Sequence, residues 1–119
     1  TLAAFPDEKG DLKISIALDN LLYIESADNY VTIFYLNKSK QSRFLLRNSL
    51  KWLEENLTND TPLVRCHRSY IVNMDKVKVL KKIKGGIVLE LDIEGIPDIP
   101  VSKTYSQFFM NKFLQNSAN

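Results

Sequence analysis

Apolar residues at Leu12, Ile14, Ile16 and Leu18 alternate with Lys13, Ser15 and Ala17, the period of a strand with one buried face. After a turn at Asp19-Asn20, Leu21 to Glu25 is a short apolar run, Ser26 to Asn29 a turn cluster, and Tyr30 to Leu36 a stretch rich in β-branched and aromatic residues. Residues 37–40 (Asn-Lys-Ser-Lys) form the next turn, and Gln41 to Arg47 returns as a further strand, so the first half predicts a meander. The period then changes. Leu50, Leu53 and Leu57 recur at helical spacing behind Asn48-Ser49, either of which offers an N-cap oxygen, and Pro62 closes the segment because it lacks an amide hydrogen. Leu63 to His67 predicts a strand, Tyr70-Ile71-Val72 is a second short apolar segment ending at Asn73, and Val77 to Ile83 with Ile87 to Leu91 predicts a hairpin turning at Lys84-Gly85-Gly86. Ile96 to Val101 holds Pro97 and Pro100, which restricts it to an edge strand or an extended connection. Ser102 is positioned to cap a closing helix through Tyr105, Phe108, Phe109, Phe113 and Leu114. The pattern predicts a mainly β fold of small antiparallel sheets with one short interior helix and a C-terminal helix.

The ends lack this order. Residues 1–10 mix Pro6, Gly10 and charges without a usable period and read as a linker remnant, 11–116 as the domain, and 117–119 as a disordered tail. With 119 residues, 45% of them hydrophobic, the chain can bury one modest core. The missing initial methionine suggests a fragment or a processed product. No apolar run reaches the ~18 residues of a membrane span and no leader pattern is visible, so a soluble, cytoplasmic protein is expected. The single Cys66 cannot form an internal disulfide and, with one adjacent histidine, cannot build a structural zinc site.

Net charge is only +2, but it is segregated: residues 38–84 carry 12 Lys/Arg against 4 Asp/Glu, whereas residues 1–37 carry 2 against 6 and residues 85–119 carry 2 against 4. A basic middle suits phosphate attraction if the fold gathers it on one face, although lysines also serve as ordinary solvated edge blockers. Cys66, His67 and Ser69 invite a catalytic reading. Neighbours on an extended chain point to opposite faces, however, and do not make a nucleophile–base line unaided. Gly85-Gly86 lacks the following helix and Lys-Ser/Thr of a phosphate loop, and Asp92, Glu94 and Asp98 lack metal-ligand spacing. No enzyme, cofactor or small-molecule substrate is expected. What remains are polar clusters at strand ends: Asp28-Asn29-Tyr30, His67-Arg68-Ser69 and Ser102-Lys103-Thr104-Tyr105. Their residue types suit duplex DNA, where Arg or Lys reaches guanine, Asn pairs with adenine, and hydroxyls and amides hold phosphates.

The order of these motifs resembles the LytTR DNA-binding domain of AlgR/AgrA/LytR-type bacterial regulators. It is carried by Tyr23-Ile24-Glu25-Ser26, Asn29-Tyr30-Val31, the Ser49-Leu50 helix start, Val64 to Asn73 with its His-Arg-Ser-Tyr-Ile-Val-Asn core, and Ile99 to Tyr105, over about residues 12–114. The resemblance implies sequence-specific double-stranded DNA binding in transcriptional regulation, through loops that enter successive major grooves of bent DNA without a recognition helix. It implies base reading by Asn29, Arg68 and Lys103, the last at a place where the family more often has arginine. Asp28, Tyr30, His67, Ser69, Ser102, Tyr105, Lys81, Lys82 and Lys84 are the accompanying candidates for other DNA contacts. It further implies direct-repeat sites bound by a dimer, and an N-terminal input module, a receiver domain or a membrane segment, outside this sequence.

Each residue also has a plainer role. Asn29 reads as a turn residue, His67 as a strand-end hydrogen-bonding group, Arg65 as an ion-pair partner of Glu25 or Glu54, and Asn73 as a backbone cap. Trp52, Tyr70, Phe108, Phe109 and Phe113 read as core, and Lys81, Lys82 and Lys84 as solvated. The rival to DNA binding is a β-rich protein–protein or ligand-sensing module.

Overall fold

The computed structural model describes residues 1–117, and the expected tail at 117–119 lies outside them apart from the backbone of Ser117, which ends the last helix. Its centre is a five-stranded antiparallel sheet made of β3 (Leu21–Ala27), β4 (Tyr30–Asn37), β5 (Lys40–Leu46), β6 (Leu63–His67) and β7 (Tyr70–Asn73), in the order β5-β4-β3-β7-β6. The meander predicted for the first half is present. In the β4–β5 turn both central residues, Lys38 and Ser39, have positive φ, the geometry that matches the twist of flanking strands in a two-residue hairpin.

Both faces of the central sheet are buried. On one face Ile24, Val31, Ile33, Leu63 and Ile71 meet a two-stranded hairpin, β1 (Leu2–Pro6) and β2 (Leu12–Ala17), and the helix α1 (Leu50–Leu57). On the other, Leu22, Tyr23, Val64, Cys66 and Val72 meet a three-stranded sheet and the helix α2 (Lys103–Ser117). That sheet has the order β10-β9-β8, from β8 (Val77–Ile83), β9 (Gly86–Leu91) and β10 (Ile99–Val101). Two covered faces explain why Leu21 to Ile24 reads as an uninterrupted apolar run: Leu21 and Ile24 serve one core, Leu22 and Tyr23 the other, with the register shift between Leu21 and Tyr23 interrupting strict alternation. The proline-bearing β10 is an edge strand, as Pro100 requires.

α1 begins where expected, with Ser49 Oγ accepting the Trp52 amide at 3.0 Å. Its Leu50 and Leu53 are buried. Asn73 is buried as well and holds three backbone groups: Nδ2 donates to the carbonyls of Leu18 (3.1 Å) and Leu21 (2.8 Å), and Oδ1 accepts from Asp75 N–H (3.0 Å). Among the described residues no helix is long and apolar enough to cross a membrane.

The expectation of a linker remnant over residues 1–10 is corrected. Leu2 to Pro6 pairs with β2 in register, and Ala3 and Phe5 are buried in the core beneath it. Ala3 and Phe5 alternate with the outward Leu2 and Ala4, a strand period too short to stand out beside Pro6 and Gly10. Phe108 departs from the core reading: it is 48% exposed, with Lys112 over its ring, while Phe109 takes the buried position.

Candidate nucleic-acid interface

The β6–β7 turn places Arg68 and Ser69 at its tip, with His67 opposite Tyr70. His67 Nδ1 accepts the Ser69 backbone N–H at 3.0 Å, and its ring stands edge-on to Tyr70 at 5.5 Å between centroids. An accepting Nδ1 means that a neutral ring carries its hydrogen on Nε2. Burial, and then the charges of Arg68 and Arg65, hold the His67 pKa below the ordinary imidazole value, which favours that neutral form.

Beneath this turn Arg65 is almost wholly engaged by the chain itself. Nε donates to the His67 carbonyl (2.8 Å), Nη2 to the Arg68 carbonyl (2.7 Å) and Nη1 to Glu54 Oε1 (2.8 Å), and the guanidinium carbon lies 5.5 Å from the centre of the Tyr105 ring. Of the two expected partners, Glu54 is the one it takes. One side chain therefore ties α1, the turn and the start of α2 together. Arg68, by contrast, is exposed.

Backbone bonds gather the remaining loops. Ser26 N–H donates to the Ser69 carbonyl at 2.9 Å, and Tyr70 Oη donates to Glu25 at 3.1 Å, so the β3–β4 turn lies beside the β6–β7 turn. That turn contains only Asp28 and Asn29, with Asp28 in the left-handed region at φ 57°; Ser26 and Ala27 continue β3, opposite Val31 and Tyr30. On the other side, Ser102 N–H donates to the Cys66 carbonyl at 3.1 Å and sets Lys103 at the first position of α2. The register Val101↔Ile87↔Lys82 brings the β8–β9 tip, with Lys84, alongside Ser102. All three sequence-predicted clusters and the lysine hairpin thus occupy one end of the molecule. The ion pairs among the described residues engage Lys81, 3.6 Å from Glu90, and leave Arg68, Lys82, Lys84 and Lys103 unneutralised. Tyr105 belongs partly to the support, since Arg65 covers its ring.

A third arginine at this end is not marked out by any sequence motif. The pairing of Val31 with Leu46 puts Arg47 next to Tyr30; its guanidinium carbon is 5.5 Å from the ring centre, Nη1 donates to Tyr30 Oη at 3.5 Å, and Nε donates to Glu8 Oε1 at 2.7 Å. Only the strand register could have revealed it.

The catalytic reading of Cys66, His67 and Ser69 finds no supporting geometry. Cys66 is buried, its thiol pKa pushed up to about 12 by that burial, and the Ser69 group that meets His67 is the backbone amide, not the hydroxyl.

Comparison with known proteins adds independent findings. The LytTr DNA-binding domain family model matches residues 12–114. The chain is 30% identical over 102 residues to an uncharacterized response regulatory protein of Vibrio cholerae, covering 85% of this chain and 38% of that protein. It is 40% identical over 57 residues to another from Vibrio parahaemolyticus, covering 48% of this chain and 22% of that one. The chain therefore spans well under two thirds of these relatives. A solved LytTr DNA-binding domain from Bacillus cereus superposes with a TM-score of 0.68 at 23% identity, covering 94% of this chain and 95% of the other.

Proposed function

The chain belongs to the LytTr DNA-binding domain family, whose members bind DNA in transcriptional regulation, and from that premise we propose how this member reads its duplex. Asn29, Arg68 and Lys103 contact base edges in the major groove. Arg68 offers guanine a bidentate fork, Asn29 suits adenine, and Lys103 supplies a point charge that reads guanine less strictly. Asp28, Tyr30, His67, Ser69 and Ser102 line the docking end, with the Lys103 and Thr104 amides at the start of α2 offered to a phosphate while the Tyr105 amide bonds the Ser102 carbonyl. Lys82 and Lys84 attract the backbone from the adjoining hairpin; Lys81 contributes less because Glu90 already answers its charge.

The observation that supports this reading best is the mutual fastening of the loops. The bonds from Ser26 to Ser69 and from Ser102 to Cys66, with Arg65 holding the β6–β7 turn and lying over Tyr105 of α2, make a preorganised surface from segments far apart in sequence. In the whole protein the domain acts as the output of a response regulator or a similar regulator in the cytoplasm. A receiver domain or a membrane segment serves as its N-terminal input, and it binds direct repeats as a dimer. The names of the Vibrio relatives, both response regulatory proteins, and the 38% of the longer-matched one's length that this chain spans support the output-domain part of that arrangement.

Selection of bound duplexes from a random library with this chain tests the reading. Recovery of a repeated motif, bound with steep salt dependence and far more tightly than a scrambled duplex, is expected; equal affinity for both removes the proposal. Arg68→Ala should weaken the selected duplex by ~1–3 kcal/mol and relax one position of the motif. An equal loss on scrambled DNA would make Arg68 a phosphate contact instead.

A further inference from the structure

At the outer corner of the docking end, Arg47 and Glu8 form a contact between the central sheet and the N-terminal hairpin. The hairpin is fastened there by more than this ion pair. Glu8 N–H donates to the Arg47 carbonyl at 2.9 Å, and Asn48 Nδ2 donates to the Pro6 carbonyl at 3.0 Å. The shape of its turn is set by Asp7 Oδ1, which accepts the amides of Lys9 (2.9 Å) and Asp11 (3.0 Å). The fold thus delivers the Glu8 carboxylate to the guanidinium that lies over Tyr30, one residue beyond Asn29.

We infer that Arg47, with the Tyr30 hydroxyl beside it, is a further DNA phosphate contact at the edge of the interface, and that Glu8 occupies it in the free protein as an exchangeable stand-in for the phosphate. The inference rests on the DNA-docking reading of the β3–β4 turn. The Arg47 and Glu8 side chains are 50% and 49% exposed, so their pair lies in water, where ion pairs contribute little and break at small cost. Glu8 accepts from Nε and Tyr30 Oη from Nη1, so the edge of the guanidinium already carries two oxygen partners. A phosphate supplies several acceptor oxygens to such a fork, and a tyrosine hydroxyl is a common companion donor. The exchange leaves a carboxylate close to the DNA backbone. Glu8 therefore lowers affinity for every duplex alike and acts as a brake on the sequence-independent, phosphate-driven part of binding. Glu8 precedes residues 12–114, the span matched by the family model.

The test measures salt-dependent affinity for a duplex selected from a random library and for a scrambled duplex of the same composition. Arg47→Ala should weaken both by a similar factor and make the slope of log affinity against log salt shallower by about 1. Glu8→Gln should strengthen both, by about 3- to 10-fold, and the gain should shrink in the Arg47→Ala background because the stand-in then has nothing to cover. Arg47→Lys, which keeps the charge, should retain the slope. If Arg47→Ala fails to fold, Glu8→Gln and Arg47→Lys carry the decision. An unchanged slope in Arg47→Ala, or weaker binding in Glu8→Gln, overturns the inference. Failure of the loop reading is a separate result, seen as equal affinity of the unaltered chain for the two duplexes.

Discussion

Arg65 and Arg68 sit three positions apart in a basic stretch, yet one is fully occupied within the protein and the other is offered to solvent. Arg65→Lys retains the charge and loses the planar fork that holds the His67 and Arg68 carbonyls. Charge-assisted hydrogen bonds contribute about 1.5–3 kcal/mol each, so this substitution should lower discrimination between the selected and scrambled duplexes by roughly tenfold or more. Its salt slope should stay as in the unaltered chain, because the Arg65 guanidinium is engaged by Glu54 and the turn carbonyls; a slope shallower by one would assign it to the DNA backbone. His67 gives a prediction in pH. Its folded-state pKa lies below the ordinary value of about 6.5, first through burial and then through Arg68 and Arg65, so the unfolded chain binds more protons in the window beneath 6.5. The stabilisation is complete above 6.5 and is lost as pH falls through the folded-state pKa, when Nδ1 takes a proton and no longer accepts the Ser69 amide. The difference in thermal midpoint between the unaltered chain and His67→Gln should therefore shrink from pH 7 to pH 5. A constant difference would mean that His67 does not titrate there. The sequence made these side chains conspicuous; which of two arginines was free depended on carbonyls that only the folded turn brings within reach.

At the scale of elements, strand period and turn chemistry carried most of the reading. The β3–β4, β4–β5 and β8–β9 hairpins, the Ser49-capped α1 and the proline-limited edge β10 all lie where alternation, caps and breakers put them. The first ten residues did not yield to the same argument. Two buried residues, Ala3 and Phe5, are too few for a period to emerge, and β1 is a strand because β2 offers its edge and the core beneath has room for Phe5. Phe5→Ala should cost about 3–5 kcal/mol in urea unfolding, the usual range for emptying a fully buried aromatic site. A change below about 0.5 kcal/mol, the level of surface substitutions, would restore the linker reading. α2 went astray in one detail: two adjacent phenylalanines cannot both face the sheet, and packing gave the inner position to Phe109.

For the whole molecule, segregated charge acquires meaning from topology. The basic middle of the chain is divided between two sheets, yet the pairing of Lys82 with Ile87, and of Ile87 with Val101, returns the lysine hairpin to the side of Ser102 and Lys103. Lys82→Ala should accordingly weaken selected and scrambled duplexes alike and reduce the salt slope by about 1. Loss confined to the selected duplex would make Lys82 a base reader and not a member of a diffuse phosphate field. Alternation and turn residues were enough to determine a mainly β fold, because period and turn preference are local properties written residue by residue, and the order of the motifs was enough to mark the resemblance to a DNA-binding family. The tertiary structure decided what depends on contacts across long stretches of chain. It buried both faces of the central sheet, took the N-terminal strand into the core, and set Arg65 beneath the loops as a brace. It also brought Glu8 to Arg47, since no local rule relates a residue near the start of the chain to the end of its fifth strand.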